Sequence, residues 1–439
     1  NPPMTQPKTT TIPMMMVISK HSPDRYGYYV HPSRSCQGDV GSPFPVKRLR
    51  GIMGSMWEYL EKRRFFARTG PALEEVAASE LEELGAEDLS PSYRGVYFSA
   101  QNPTLYRILL LARIPSRILA PLASFPCFSD DQLYKRSTKL AWNELLSPEK
   151  TFRIFADLSG SRIKNSHFAV QRLKDAVADH FVRTLGKRPS VAQAEDSPDL
   201  WLHLLIQEDR ALLSLDVAGG ALHRRGYRKE GGDAPLQETL AAAIVRLSGW
   251  KGETPLYDPF CGSGTLLAEA LMSWCRIPNS LFRSSFGLSG LPDFDAPLWE
   301  ESLRKANEES RSLPEGLLSG SDVSPEAVKR ARRNLSSLPC GERVSLKSGD
   351  FRTLEGLADR TLLCNPPYGV RLGETEKLKT LYKEFGDFLK RRCPRSTAWI
   401  LCGNRELIPS LGLRPSRKIP LFNGPLEGRL VKLEIRPLL

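Results

Sequence analysis

From Phe65 onward the apolar positions alternate between a period of two in short runs and a period near 3.6 in longer ones, so strands and helices follow one another along the chain. Phe65–Arg68 reads as a strand. Thr69-Gly70-Pro71 opens a helix running through Leu73, Val76, Ala77, Leu81 and Leu84, and Gly85 stops it. A strand at Tyr93–Phe98 and a helix bearing Leu105, Ile108, Leu109 and Ala112 complete a first α+β stretch. A second, over residues 130–218, holds the strand Phe152–Ala156, an amphipathic helix Ser166–Leu185 ended by Gly186, and the strands Leu200–Ile206 and Arg210–Asp216.

A Gly- and Arg-rich bridge from Gly219 to Asp233 separates these from a differently patterned half, which marks a domain boundary. Beyond it the chain reads helix Gln237–Leu247, strand Pro255–Tyr257, helix Thr265–Trp274, strand Leu317–Asp322 and helix Pro325–Leu335. Strands Val344–Lys347 and Thr361–Cys364, helix Glu376–Arg391 and strand Thr397–Cys402 follow. Strands alternating with helices predict a parallel, doubly wound α/β sheet. Residues 276–310 interrupt the alternation as an insertion.

Residues 1–55 lack either period and are rich in Pro, Ser, Thr and Met, a composition unable to bury enough surface to order itself. Together with the next few residues they are expected to form a disordered leader, 1–62. Ile12–Ile18 is apolar but too short for a span and has no small-residue cleavage site, so it does not read as a signal peptide. No apolar run approaches the roughly 20 residues that cross a bilayer.

The net charge of +12 over 439 residues favours an anionic partner, but six of those charges fall within residues 1–64. The eight cysteines are scattered, with no spacing that suits a metal, so they are expected to be reduced thiols in a cytoplasmic protein without a bound metal.

Candidate chemistry sits where successive strands end. Asp258-Pro259-Phe260-Cys261-Gly262-Ser263-Gly264-Thr265 joins a strand to a helix, and its glycines let the backbone approach a ligand at the helix N-terminus. The acid ahead of the glycines suits the cationic amino group of a methionine better than a phosphate. Asp322 ends the next strand, 58 residues beyond Gly264, and with Val323 after it could take both ribose hydroxyls of a nucleoside cofactor. Gly349-Asp350-Phe351 follows the third strand and could set a carboxylate and a ring beside an adenine. Three such elements in order on one sheet edge point to a nucleoside cofactor held by Asp258, Pro259, Cys261, Gly262, Gly264, Thr265, Asp322, Val323, Asp350 and Phe351.

Asn365-Pro366-Pro367-Tyr368-Gly369 stands where the fourth strand ends. An amino group conjugated to a base is a poor nucleophile because its lone pair is delocalised. Two acceptors aimed at its hydrogens, the Asn365 side-chain carbonyl and the Pro366 backbone carbonyl, would draw the nitrogen toward tetrahedral geometry. Pro366 and Pro367 fix the turn without adding an N–H. Tyr368 could stack on a base swung out of its helix. Asn365 would also border the cofactor.

These motifs together resemble the THUMP-domain class I RNA methyltransferases that make N2-methylguanine, among them the bacterial large-subunit ribosomal RNA enzymes. His223-Arg224-Arg225-Gly226-Tyr227-Arg228, Pro235 to Ala242, the insertion from Phe282 to Trp299, and Leu421-Phe422-Asn423-Gly424 carry the resemblance further, over about residues 63–439. It implies S-adenosyl-L-methionine as donor and a ferredoxin-like module at 63–125. A THUMP RNA-binding domain would span 126–218, a linker 219–235 and a class I, Rossmann-like methyltransferase domain 236–439. The implied substrate is structured RNA, ribosomal or transfer. Some ribosomal members carry a second, C-terminal methyltransferase that has no counterpart here. Arg224, Arg225, Arg228 and Lys229 cluster at the linker, where phosphates could pass. The tetrapeptide serves any planar amino group, so DNA adenine-N6 and protein glutamine-N5 methylation stay open, as does a non-catalytic ribosome-assembly role.

Overall fold

The computed structural model describes residues 57–192, 198–229, 236–283, 285–368 and 375–437. The expected leader lies outside these residues as far as residue 56. Its last part is not disordered: α1 (Glu58–Lys62) is a short helix with Tyr59 buried.

The N-terminal half comprises β1 (Arg64–Arg68), α2 (Glu74–Glu83), β2 (Glu87–Ser92), β3 (Gly95–Ser99), α3 (Asn102–Leu111), β4 (Arg117–Pro126) and α4 (Asp130–Ser137). β5 (Thr151–Ser159), α5 (Ser166–Leu185), β6 (Ser190–Val191), β7 (Leu200–Gln207) and β8 (Arg210–Asp216) complete it. The helix expected from Thr69 begins only at Glu74, because Ala72 adopts a positive φ of 63° that breaks the helical path. α5 matches its expected span: Asn165 caps it by accepting from the Phe168 N–H, and Gly186 ends it in the left-handed conformation.

The two α+β segments share one eight-stranded sheet, ordered β2-β3-β1-β4-β8-β7-β5-β6. β4 makes the junction. It pairs with β1 through Arg117, Ile118 and Leu119, and with β8 from Leu119 to Pro126.

The second half is α6 (Glu238–Leu247), β9 (Leu256–Asp258), α7 (Thr265–Trp274), α8 (Ala296–Glu308), β10 (Leu318–Asp322), α9 (Pro325–Leu335) and β11 (Ser345–Ser348). Then come β12 (Thr361–Cys364), α10 (Thr375–Arg392), β13 (Thr397–Cys402), β14 (Arg417–Asn423) and β15 (Leu426–Glu434). The sheet order is β11-β10-β9-β12-β13-β15-β14, with the reversal of strand order between β9 and β12 that defines a doubly wound fold. Its first five strands are parallel. The sheet is nevertheless not wholly parallel, because β14 and β15 form an antiparallel hairpin added to β13.

The insertion locks the two halves together. Tyr59 donates to Asp293 at 2.6 Å, Asn102 donates to the Asp293 carbonyl at 2.9 Å, and Arg107 holds Glu309 at 2.6 Å. Asn279 donates to the carbonyls of Leu109 and Ala112, while Arg283 donates to Ala218 and Ala221. Arg113 is buried and donates to the carbonyls of Met272 and Ile277; burial pulls its pKa down to about 10. Among the described residues no helix is long and apolar enough to cross a membrane, and no group of three or more His, Cys, Asp or Glu could hold a metal ion.

Candidate active site

β10, β9 and β12 lie side by side, so the loops leaving their C-terminal ends meet on one edge of the sheet, where doubly wound folds bind ligands. A cavity of about 410 Å³ opens there. Pro259, Phe260 and Gly262 from the loop after β9 form one wall, Asp322 and Val323 from β10 another, and Asp350, Phe351 and Arg352 a third. Asn365 and Pro367 enter after β12, and Leu381 reaches in from α10.

The loop after β9 turns sharply because Gly262 and Gly264 both take positive φ, 53° and 83°. Gly264 also allows a close crossing: a Cβ there would lie 3.1 Å from the Ala331 side chain of α9. The Asp322 carboxylate closes the loop onto β10. One oxygen accepts from Gly262 N–H and the other from Ser324 N–H, both at 2.9 Å. Asp258 is buried and accepts from Phe260 N–H at 3.0 Å. Burial raises its pKa well above the usual carboxylate range, and the nearby Asp322 adds to the rise.

Not every expected cofactor residue reaches the cavity. Asp258, Cys261, Gly264 and Thr265 are buried outside its lining. Thr265 instead accepts from Arg228 at 3.0 Å. Phe351 lines the cavity but packs most of its ring among Phe260, Phe385 and Phe388. Asp350 is taken up by Arg352, whose guanidinium also grips Glu384 of α10.

Asn365 has the most telling environment. Its side-chain oxygen is buried and accepts no hydrogen bond among the described residues, although buried acceptors are nearly always satisfied. Pro366 is buried beside it and Pro367 exposed. The Tyr368 ring lies over Gly403, where any Cβ would come within 2.3 Å, and its hydroxyl accepts from the Asn423 amide at 3.1 Å. Sequence reasoning does not single out Phe260, Arg352, Leu381 or Asn423. Phe260 lies within the glycine motif and Asn423 within the matched Leu421–Gly424 run, whereas Arg352 and Leu381 carry no sequence signal.

Three comparisons with known proteins bear on this site. Residues 225–432 match the model described as RMKL-like, methyltransferase domain; residues 128–216 match the THUMP domain; and residues 64–119 match the RlmL ferredoxin-like domain. A Synechocystis protein named as a candidate RNA methyltransferase is 38% identical over 85% of this chain and 97% of its own length. The chain belongs to the THUMP-bearing, RMKL-like methyltransferase family. The ribosomal RNA large subunit methyltransferase K/L of Photobacterium profundum is also 38% identical over 83% of this chain, but the match spans about half, 52%, of that longer protein. A candidate methyltransferase solved with S-adenosylhomocysteine is 26% identical, covers 88% of this chain and 100% of its own, and superposes with a TM-score of 0.77.

Within this RMKL-like chain the linker arginines need correction. Arg225 is not available to RNA: its side chain is buried, donates to Leu222 and Arg113 carbonyls, and pairs with Glu269 at 3.4 Å. Arg228 is mostly buried too, bound to the Leu236 carbonyl and facing Glu238 at 3.4 Å. Both tie the linker to α6 and α7. Arg224 and Lys229 stay exposed.

Proposed function

We propose that this protein transfers a methyl group from S-adenosyl-L-methionine to the exocyclic N2 of a guanine in RNA, ribosomal RNA foremost, in the cytoplasm. The observation that carries the reading is the buried side-chain oxygen of Asn365 at the cavity wall, without a partner among the described residues. An acceptor kept dry and empty costs free energy, so it fits a site whose donor arrives with the substrate.

The chain's residues suit the donor molecule. Asp258 lies buried behind the loop that lines the cavity, with no ion-pair partner among the described residues, and its charge would favour the ammonium of a methionine moiety held on the other side of that loop. Each Asp322 oxygen has one N–H and retains capacity for a ribose hydroxyl. Phe260, Val323, Phe351 and Leu381 supply apolar walls for an adenine. The bound donor would supply an electrophilic methyl on a sulfonium.

Asn365 and the Pro366 carbonyl then accept the two amino hydrogens and localise the nitrogen lone pair. Those bonds strengthen as the nitrogen becomes tetrahedral, so they favour the transition state over the ground state. The amino proton leaves after methylation, when the nitrogen has become acidic, and no strong base is required. Tyr368, fixed by Gly403 and Asn423, offers the base a rigid stacking partner.

Incubation with methyl-labelled donor and separate ribosomal RNA, transfer RNA, DNA and protein fractions tests the reading. Label should enter RNA and digest to N2-methylguanosine by mass spectrometry. Label confined to DNA or protein would overturn the substrate class, and another methylated nucleoside would overturn the base.

A further inference from the structure

The linker arginines that sequence reasoning assigns to RNA are largely buried, and the exposed cations lie beside them on α9. At about 100° per residue the helix turns Ala327, Val328, Ala331, Asn334 and Leu335 inward, all of them buried. Its other side presents Lys329, Arg332 and Arg333 exposed, with the half-buried Arg330 on its flank and Glu326 as the one acid of the helix, a net of three positive charges. Cations in the last turn of a helix are explained by the helix dipole, but Lys329 and Arg330 lie in its middle, where that effect has faded.

This basic face is tied to the cofactor cavity at both ends. α9 begins two residues after Val323, which lines the cavity, with Ser324 as its cap. Near its other end the buried Asn334 accepts from the Lys229 backbone N–H and donates to the Ser263 carbonyl. One side chain thereby joins the linker, the helix and the glycine loop. On the opposite flank Arg332 donates to the Leu346 carbonyl of β11, next to exposed Lys347. Exposed Lys229 and exposed Lys347 thus belong to the segments that α9 contacts on its two sides.

We propose that the outward face of α9 is the catalytic domain's own phosphate-binding surface, taking the sugar–phosphate backbone of the substrate RNA beside the cofactor site. The proposal rests on the RNA methyltransferase reading and adds the surface that reading lacked once Arg225 and Arg228 were removed from it. Arginine and lysine on a rigid helix suit phosphate contacts that position RNA without reading its sequence.

The test is the full-length protein carrying Lys329→Gln, Arg332→Gln and Arg333→Gln together, beside a control with Arg391→Gln and Arg392→Gln at the end of α10. RNA affinity is measured across a salt series, with cofactor affinity and single-turnover rate at saturating RNA. The α9 variant should bind RNA at least tenfold more weakly. Its log–log salt slope should fall by roughly 0.7–0.9 for each phosphate no longer neutralised. Cofactor affinity and the saturated rate should stay near wild type, and the control should behave as wild type. Unchanged affinity and slope, or an equal loss in the control, would overturn the assignment. If the unaltered protein binds and methylates no RNA, the underlying functional reading fails instead.

Discussion

The Asn423 side-chain amide donates to the Tyr368 hydroxyl at 3.1 Å, so the turn of the β14–β15 hairpin holds the aromatic residue of the Asn-Pro-Pro-Tyr motif 55 positions upstream. The ring's face is set independently by Gly403. If Asn423 acts through that hydroxyl, Asn423→Ala and Tyr368→Phe should each lower kcat/KM several-fold, and the double variant should be no worse than the poorer single one. Such a hydrogen bond is worth about 0.5–1.5 kcal/mol. Additive losses in the double-mutant cycle would show that Asn423 acts elsewhere.

Cofactor affinity should rise with pH. Burial raises the Asp258 pKa well above the carboxylate range, so below that raised value the free protein carries a proton that an incoming ammonium must displace. Binding is therefore weaker below that raised pKa and gains as pH passes through it. The sign for stability is opposite: the folded free protein binds a proton the unfolded chain has released, so stability declines as pH climbs from the ordinary to the raised value. Calorimetry over a pH series climbing from the ordinary carboxylate range should detect proton release on binding, and Asp258→Asn should abolish it. A wild-type affinity flat across that series would contradict the assignment.

Glu269 and Arg225 form a pair in which both side chains are essentially inaccessible, with Tyr227 donating to the same Glu269 oxygen at 3.2 Å. Removing one partner strands the other charge, which typically costs about 3–5 kcal/mol. Glu269→Ala should lower the denaturation midpoint sharply, whereas Arg224→Ala, one residue before Arg225 but exposed, should change stability by no more than about 0.5 kcal/mol. Equal midpoints for the two variants would place the linker outside the core.

The second half of the chain is the more legible in sequence because its elements have strong local signals. Thr265–Trp274, Pro325–Leu335, Thr361–Cys364 and Thr397–Cys402 match their expected bounds, each flanked by glycine, proline or a capping residue. β4 gives no strand signal of its own. Its Pro121 and Pro126 argue against one, and the residues that make it a strand are its neighbours β1 and β8. The β14–β15 hairpin is hidden for a similar reason, since its burial depends on docking against β13. For the site, the loops at strand ends are visible as motifs, whereas burial is not. Arg225 and Arg224 are adjacent and chemically identical, and only the packing of Glu269 against the linker separates a core cation from a surface one.

The most direct measurement is a single turnover on pre-bound RNA by the wild-type protein and Asn365→Ala, with the product nucleoside identified by mass spectrometry. Truncation removes an acceptor that has no partner among the described residues, without touching the Asp322 contacts or the α9 surface, so donor and RNA affinities should stay near wild type. The methyl-transfer rate should fall by about 10²–10³, as when one preorganised electrostatic partner is removed, and the wild-type product should be N2-methylguanosine. A near-normal rate in Asn365→Ala would mean that the motif only shapes a turn, and would contradict the account.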